Sequence, residues 1–307
     1  MTEPDRYSFR RYLDAKRTVD RRARNRRVAA AFRRSLAAVD EPVALCEIGA
    51  GTGTMIETVL EWTPDTEVRY TAIDADPALV DAATDRIADR AADRNRDSDR
   101  SGEPVRIDRD GAAFEVEFRA EDALAHLAAH AESYDVVVAQ AFLDLTDVRA
   151  ALETVADGLC PGGVAYFPIT FDGVTALLPP VDDDLEDRIE RRFHRRMDTT
   201  EKAGGETGDS TAGRHLLTAV PATGGRIVAA GGSDWVVRPT DGGYEGDEAY
   251  FLHHIVDTIE SALVADGAIA ADRVGAWAAA RHDQIDAGAL VYLAHQLDVL
   301  AQWPGSA

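Results

Sequence analysis

The residues best placed to do chemistry lie in one short stretch, Glu47-Ile48-Gly49-Ala50-Gly51-Thr52-Gly53. Glycine recurs there at every second position, and a carboxylate stands two residues before the first of them. Glycine adopts backbone conformations that other residues avoid and lets a ligand come close to the main chain. The stretch follows an apolar run, Val43 to Ile48, and precedes a helical pattern in which Met55, Ile56, Val59 and Leu60 share a face, bounded by Pro64. The first helical N–H groups and the positive end of the helix dipole therefore meet the turn. Strand, glycine turn and helix together make a nucleotide site. A dinucleotide fingerprint needs G-x-G-x-x-G, with its pyrophosphate on the helix N-terminus. The spacing here misses the third glycine, and an acid so close suits an ammonium group better than a pyrophosphate.

The pattern Glu47-x-Gly49-x-Gly51-x-Gly53 resembles the first motif of class I S-adenosylmethionine-dependent methyltransferases, whose cofactor carries an amino acid where a dinucleotide carries phosphates. Later positions continue the resemblance. Val68 to Ile73 reads as a second strand ending at Asp74, where an acid can accept both hydroxyls of a ribose. After a third strand, Phe114 to Phe118, Asp122 stands where the family contacts the exocyclic amine of adenine, with the Ala123 N–H facing a ring nitrogen. Asp122 as the N-cap of a helix carrying Leu124 and Leu127 is a reading compatible with this. Tyr134 to Gln140 is an apolar fourth strand, and Phe142 opens the segment where the methyl acceptor enters in this family. Enzymes acting on nucleobase amines often show Asn/Asp-Pro-Pro-Tyr at that place; this chain does not, and the loop looks more like that of small-molecule methyltransferases. The resemblance implies S-adenosylmethionine as cofactor, held by Glu47, Gly49, Ala50, Gly51, Gly53, Asp74, Asp122, Ala123 and Gln140, with Phe142 beside a small-molecule acceptor.

The elements needed to position these groups form an α/β fold, a doubly wound, seven-stranded Rossmann-like sheet with helical lid insertions. The expected boundaries are an N-terminal helical cap (1–40), a cofactor-binding core (41–170), a lid insertion (171–212), a core continuation (213–238), a helical insertion (239–286) and a final strand with tail (287–307). Val28, Phe32, Leu36 and Val39 give the cap its helical face. Asp76-Pro77 starts the helix after the second strand, whereas residues 93–112 are polar and charge-mixed and read as a surface loop. Asp147 starts a helix that Cys160-Pro161-Gly162-Gly163 stops, and Val164 to Ile169 is the fifth strand. Ile227–Arg238 and Leu290–Leu300 are read as the remaining strands, with a helix over Arg214–Ala219 between the fifth strand and the first of these. Leu185, Ile189, Phe193 and Met197 mark a lid helix, followed by a glycine-rich loop from Thr199 to Gly213. The insertions are expected over the carboxyl ends of the strands, where ligands bind.

Methyl transfer in line from a sulfonium mainly requires alignment and exclusion of water, and a general base helps only if the nucleophile arrives protonated. One helix offers such groups. Phe251, Leu252, Ile255, Val256, Ile259 and Leu263 form its apolar face, leaving Tyr250, His253, His254, Asp257 and Ser261 opposite. Tyr250 with His253 or His254 could orient or deprotonate a substrate if that face lines the cleft; a solvated outer face is the alternative. Arg214 and His215 could clamp a carboxylate, Trp235 could wall a pocket, and Tyr7, Tyr12, Lys16 and Arg17 on the leading helix could bind a substrate carboxylate.

The 307-residue chain carries a net charge of −22, with 31 arginines, only two lysines, and 36 aspartates against 19 glutamates. That bias resembles proteins of a salt-loving cytoplasm. Residues 1–40 run against it, and Arg21-Arg22-Ala23-Arg24-Asn25-Arg26-Arg27 invites an RNA or protein methyltransferase reading. The acidic remainder would repel phosphates, so nucleic acid is not the expected partner. A non-catalytic nucleoside-binding subunit of the same fold is a further alternative. Cys46 and Cys160 belong to no metal-ligand spacing, so both are read as small buried apolar residues and no metal is expected. No run resembles a signal peptide or a membrane span, and a cytoplasmic location is expected.

Overall fold

A computed structural model describes residues 8–92, 104–109, 111–199, 208–241 and 243–305. Its strands are Val43–Ile48 (β1), Val68–Asp74 (β2), Val105–Arg109 (β3), Ala112–Ala120 (β4), Tyr134–Val138 (β5), Leu159–Leu178 (β6), Arg226–Gly232 (β7), Trp235–Val237 (β8) and Val291–Gln302 (β9). They form one sheet in the order β3-β4-β2-β1-β5-β6-β9-β7, with β8 paired to β9. β4, β2, β1, β5 and β6 are parallel, and β9 is antiparallel to both β6 and β7. The path from β4 to β7 is the doubly wound, seven-stranded sheet; β3 extends its edge and β8 lies outside that path. Strand order reverses between β1 and β5, which opens a crevice at their carboxyl ends.

Central parallel strands are covered on both faces, which is why β1 and β5 are apolar almost throughout. On one face lie Arg26–Leu36 (α3), Thr54–Trp62 (α4) and Pro77–Ala92 (α5), contributing Phe32, Leu36, Met55, Ile56, Val59 and Ile87. On the other lie Ala123–Ala129 (α6), Val148–Gly158 (α7) and Ala212–Ala222 (α9), contributing Leu127, Leu152, Val155, Leu216 and Val220. A third apolar cluster sits beyond the carboxyl end of the sheet. It joins the short helices Phe9–Ala15 (α1) and Arg17–Ala23 (α2) to Asp183–Thr199 (α8), Glu248–Asp266 (α10) and Ala271–Asp286 (α11) through Val19, Ile189, Phe251, Val256, Trp277 and Tyr292.

Several expected elements differ. Among its described residues the helical cap is three helices, because Lys16 and Arg24 break the run, and Asn25 caps α3 by accepting from the Arg27 and Val28 N–H groups. The Cys160–Gly163 turn lies within β6, and this strand runs on to Leu178. Thr170 to Leu178 pair with Val291 to Leu297, so the start of the expected lid is sheet. Residues 105–109, expected as loop, form β3: Ile107 is buried, and the Arg109 guanidinium donates to the carbonyls of Leu60, Thr63 and Thr66. Residues 93–103 and 200–207 of the two expected loops lie outside the described residues, as does Tyr7. The strand read as Ile227–Arg238 is two, β7 and β8, parted at Ser233 and Asp234, with the Ser233 N–H donating to the Gln296 carbonyl. Cys46 is buried as expected, whereas Cys160 is only half-buried at the start of β6. No helix among the described residues is long and apolar enough to cross a membrane.

Candidate functional site

The glycine turn follows β1 directly. Gly49, Gly51 and Gly53 have φ of 70°, 53° and 78°, the left-handed region that favours glycine. A Cβ at Gly49 would meet Phe142 Cδ2 at 2.6 Å, so that glycine also lets the aromatic ring lie against the turn. Asp74, at the end of β2, accepts from the Gly51 N–H at 2.9 Å and from the Asp76 N–H at 3.0 Å. Asp122 follows β4 and accepts from the Ala125 N–H at 2.8 Å, capping α6. Gln140 follows β5; its amide donates to Asp20 Oδ2 at 3.1 Å and its carbonyl accepts from Arg24 at 2.9 Å. The next residue, Ala141, has φ of 49°, a strained conformation for a non-glycine and one that clusters at functional sites.

These strand ends enclose a cavity of about 370 Å³, within the usual range for small-ligand sites. Glu47, Gly49, Ala50, Gly51, Asp74, Asp122, Ala123, Gln140 and Phe142 all line it. Gly53 stands just behind, where it begins α4. Glu47 is buried and accepts from the Tyr70 hydroxyl at 2.7 Å. Burial pushes its carboxyl up to about 8, against the lowering effect of the Tyr70 hydrogen bond. Among the described residues four acids line the cavity, Glu47, Asp74, Asp76 and Asp122, against one basic side chain, Lys16, which is itself paired with Asp20. Such a lining repels a pyrophosphate and suits a ligand bearing ammonium and sulfonium charge together with ribose hydroxyls. The residues present therefore fit S-adenosylmethionine.

The remaining wall comes from α1 and the start of α2, which supply Phe9, Leu13 and Lys16. Asp14 fastens this helix to the turn by accepting from the Thr52 hydroxyl at 2.9 Å and pairing with Arg86. Lys16 is buried, 3.3 Å from Asp20 Oδ2 and over the Trp235 ring. Asp20 also accepts from Trp235 Nε1 at 2.9 Å, so it ties cap, β8 and Gln140 together. Phe9 and Leu13 were missed in the sequence reading. Their spacing with Lys16, at i, i+4 and i+7, is the signal that would have put them on one helix face.

The structure does not bring the other candidates to this cavity. His253 lies between α10 and α11, 2.7 Å from His282 and 3.2 Å from Asp286. His254 stacks on Tyr12 with ring centroids 4.3 Å apart. The Tyr250 hydroxyl accepts from the Ser8 N–H at 2.7 Å. The apolar face of α10 claims the core, so its polar face is turned toward α1 and α11 rather than the crevice. Arg214 is bound to Asp172 and His215 to Asp209, both on the α9 side. Trp235 is buried beneath Lys16, walling the network rather than the cavity. Arg17 pairs with Glu57, and Tyr12 is packed against Phe251.

Residues 46–165 match a family model described as a methyltransferase domain. Over that stretch, less than half of its length, the chain is similar to methyltransferase domains. Among solved structures, the YcgJ protein of Bacillus subtilis matches with a TM-score of 0.52 at 12% identity, over 92% of this chain and 100% of that one. A candidate methyltransferase from Bacillus halodurans matches with a TM-score of 0.51 at 9% identity, over 90% and 98% of the two chains. The [4+2]-cyclase SpnF matches with a TM-score of 0.45 at 19% identity, over 91% and 82%. At these identities the likeness to the two Bacillus proteins is one of fold. No curated protein matches the chain in sequence.

Proposed function

We propose that this methyltransferase moves a methyl group from S-adenosylmethionine to an O, N or C nucleophile of a small molecule. The observation that carries the reading is the acid-rich lining, in which Glu47, Asp74 and Asp122 stand at the ends of three strands around one glycine turn. Glu47 would take the amino group, Asp74 the ribose hydroxyls, and Asp122 with the Ala123 N–H the adenine edge. When bound, the cofactor supplies an electrophilic methyl and a thioether that leaves with the bonding pair. The chain's own residues align the partners and exclude water, for which proximity contributes on the order of 7–11 kcal/mol. Phe142, Phe9 and Leu145 give the acceptor an apolar wall.

The basic N-terminal helices do not favour a nucleic-acid substrate. Arg22 is bound to Glu245 and Glu248, Arg17 to Glu57, and Arg24 to Gln140. The acidic composition fits a cytoplasm of high salt. Calorimetry in concentrated KCl with S-adenosylmethionine against NAD, followed by labelled-methyl transfer into small-molecule extract, tests the reading. Binding of the former alone and a labelled product are expected. No affinity, or affinity that survives replacing both Gly51 and Asp74 by leucine, would sink it. Binding without any labelled product would instead favour a non-catalytic subunit.

A further inference from the structure

Away from the nucleoside cavity, α10 and α11 enclose an open cleft lined by polar groups that methyl transfer does not use. Asp257 and Glu260 are three residues apart on α10 and so share a face. His282 faces them from α11, its Nε2 2.9 Å from Asp257 Oδ1. One ligand atom from each of the three residues lies within 4.8 Å of the other two. Behind them the chain of contacts continues: His282 Nδ1 is 2.7 Å from His253 Nδ1, and His253 Nε2 is 3.2 Å from Asp286 Oδ1.

His282 therefore has one ring nitrogen turned to the carboxylates of α10 and the other held against His253, which is itself held by Asp286. That is the arrangement ligating histidines adopt, in which the second ring N–H is fixed by an acceptor behind it.

We propose that Asp257, Glu260 and His282 bind a divalent transition-metal ion of the zinc class, with His253 and Asp286 as its supporting hydrogen-bonded pair. One imidazole and two carboxylates suit zinc, whose ligand distances of about 2.0–2.2 Å require only that the partly exposed carboxylates close inward. Hard cations such as magnesium prefer oxygen ligands alone and keep their waters. The ion would staple α10 to α11. Phe9 and His254 line the same cleft, so it would also stiffen the wall on which the cap helix α1 packs.

The test is calorimetry of the full chain with zinc chloride, in concentrated KCl and without nucleoside, beside thermal melts with and without the metal. One zinc per chain and a raised melting temperature are expected, with magnesium chloride giving neither. His282→Ala and the double variant D257N/E260Q should each lose the binding, and His253→Ala should weaken it about 10–100-fold, the usual effect of removing such a supporting group. His295→Ala, on the distant strand β9, should bind zinc as the parent does. No zinc binding by the parent, or binding unchanged in D257N/E260Q or in a folded His282→Ala, overturns the proposal. None of these readouts depends on methyl transfer, so the metal site and the proposed activity stand or fall separately.

Discussion

Glu47 offers the sharpest test of how the cofactor is held. Its carboxyl is buried, bonded to Tyr70, and pushed up to about 8. At pH 7 about nine-tenths of these groups therefore keep a proton in the free protein. An ammonium group brought against Glu47 favours the charged form and expels that proton. Binding of S-adenosylmethionine at pH 7 should then release close to one proton. Each pH unit below about 7 should cost about 1.4 kcal/mol, so affinity should fall about tenfold between pH 7 and pH 6. The ligand's own amino group, ordinarily near 7.7–8.0, is charged throughout that window and adds little. Calorimetry in buffers of different ionisation enthalpy counts the protons. Glu47→Gln keeps an acceptor for the Tyr70 hydroxyl but loses the charge, so it should bind weakly, release no proton and show a flat profile. A parent affinity independent of pH from 6 to 8, or equal proton release in E47Q, refutes the assignment. Stability of the free protein has the opposite sense: a raised carboxyl means stability is greatest below about 4.5 and is lost as pH rises through about 8. E47Q should therefore melt higher than the parent above pH 8 and at the same temperature near pH 4.

Three further outcomes are expected. Gly49→Ala puts a Cβ 2.6 Å from Phe142 and forces alanine to φ of 70°, itself a strain of about 1–2 kcal/mol; S-adenosylmethionine affinity should drop at least about tenfold, and an unchanged dissociation constant would show that the ring is free to move away. Arg281 is wholly buried, donating to the Leu177 and Pro179 carbonyls and pairing with Glu186; Arg281→Met leaves that carboxylate short of its partner and should cost about 3–5 kcal/mol in urea unfolding, with a loss under 1 kcal/mol counting against it. The net charge of −22 predicts a melting temperature that climbs with KCl as the Debye length shrinks from about 10 Å at 0.1 M to about 3 Å at 1 M, and a flat salt response would contradict the reading of the acidic surface.

The strand-end half of the cavity was legible because its parts are local. A glycine that needs a left-handed φ, an acid that ends a strand and a cap that starts a helix are each set by a few neighbouring residues, so Glu47, Asp74 and Asp122 could be placed in order without knowing the packing. The histidines of α10 were a different matter. Periodicity put Tyr250, His253 and His254 opposite the apolar face, and the structure agrees, but a face has no address: it met α1 and α11, not the cleft. Trp235 and Arg214 went the same way, taken up by Asp20 and Asp172 on segments far off in sequence.

Sequence alone determined the strand–turn–helix frame, the acids that end its strands and the strongly acidic charge, since each depends on residue type and short-range spacing. Tertiary structure decided the rest: that β6 runs on through the expected lid, that α1 and the start of α2 close the cavity with Phe9, Leu13 and Lys16, and that Asp257, Glu260 and His282 converge from two helices. Those outcomes depend on which apolar faces bury one another across distant stretches of chain, and that choice is made by the whole core at once.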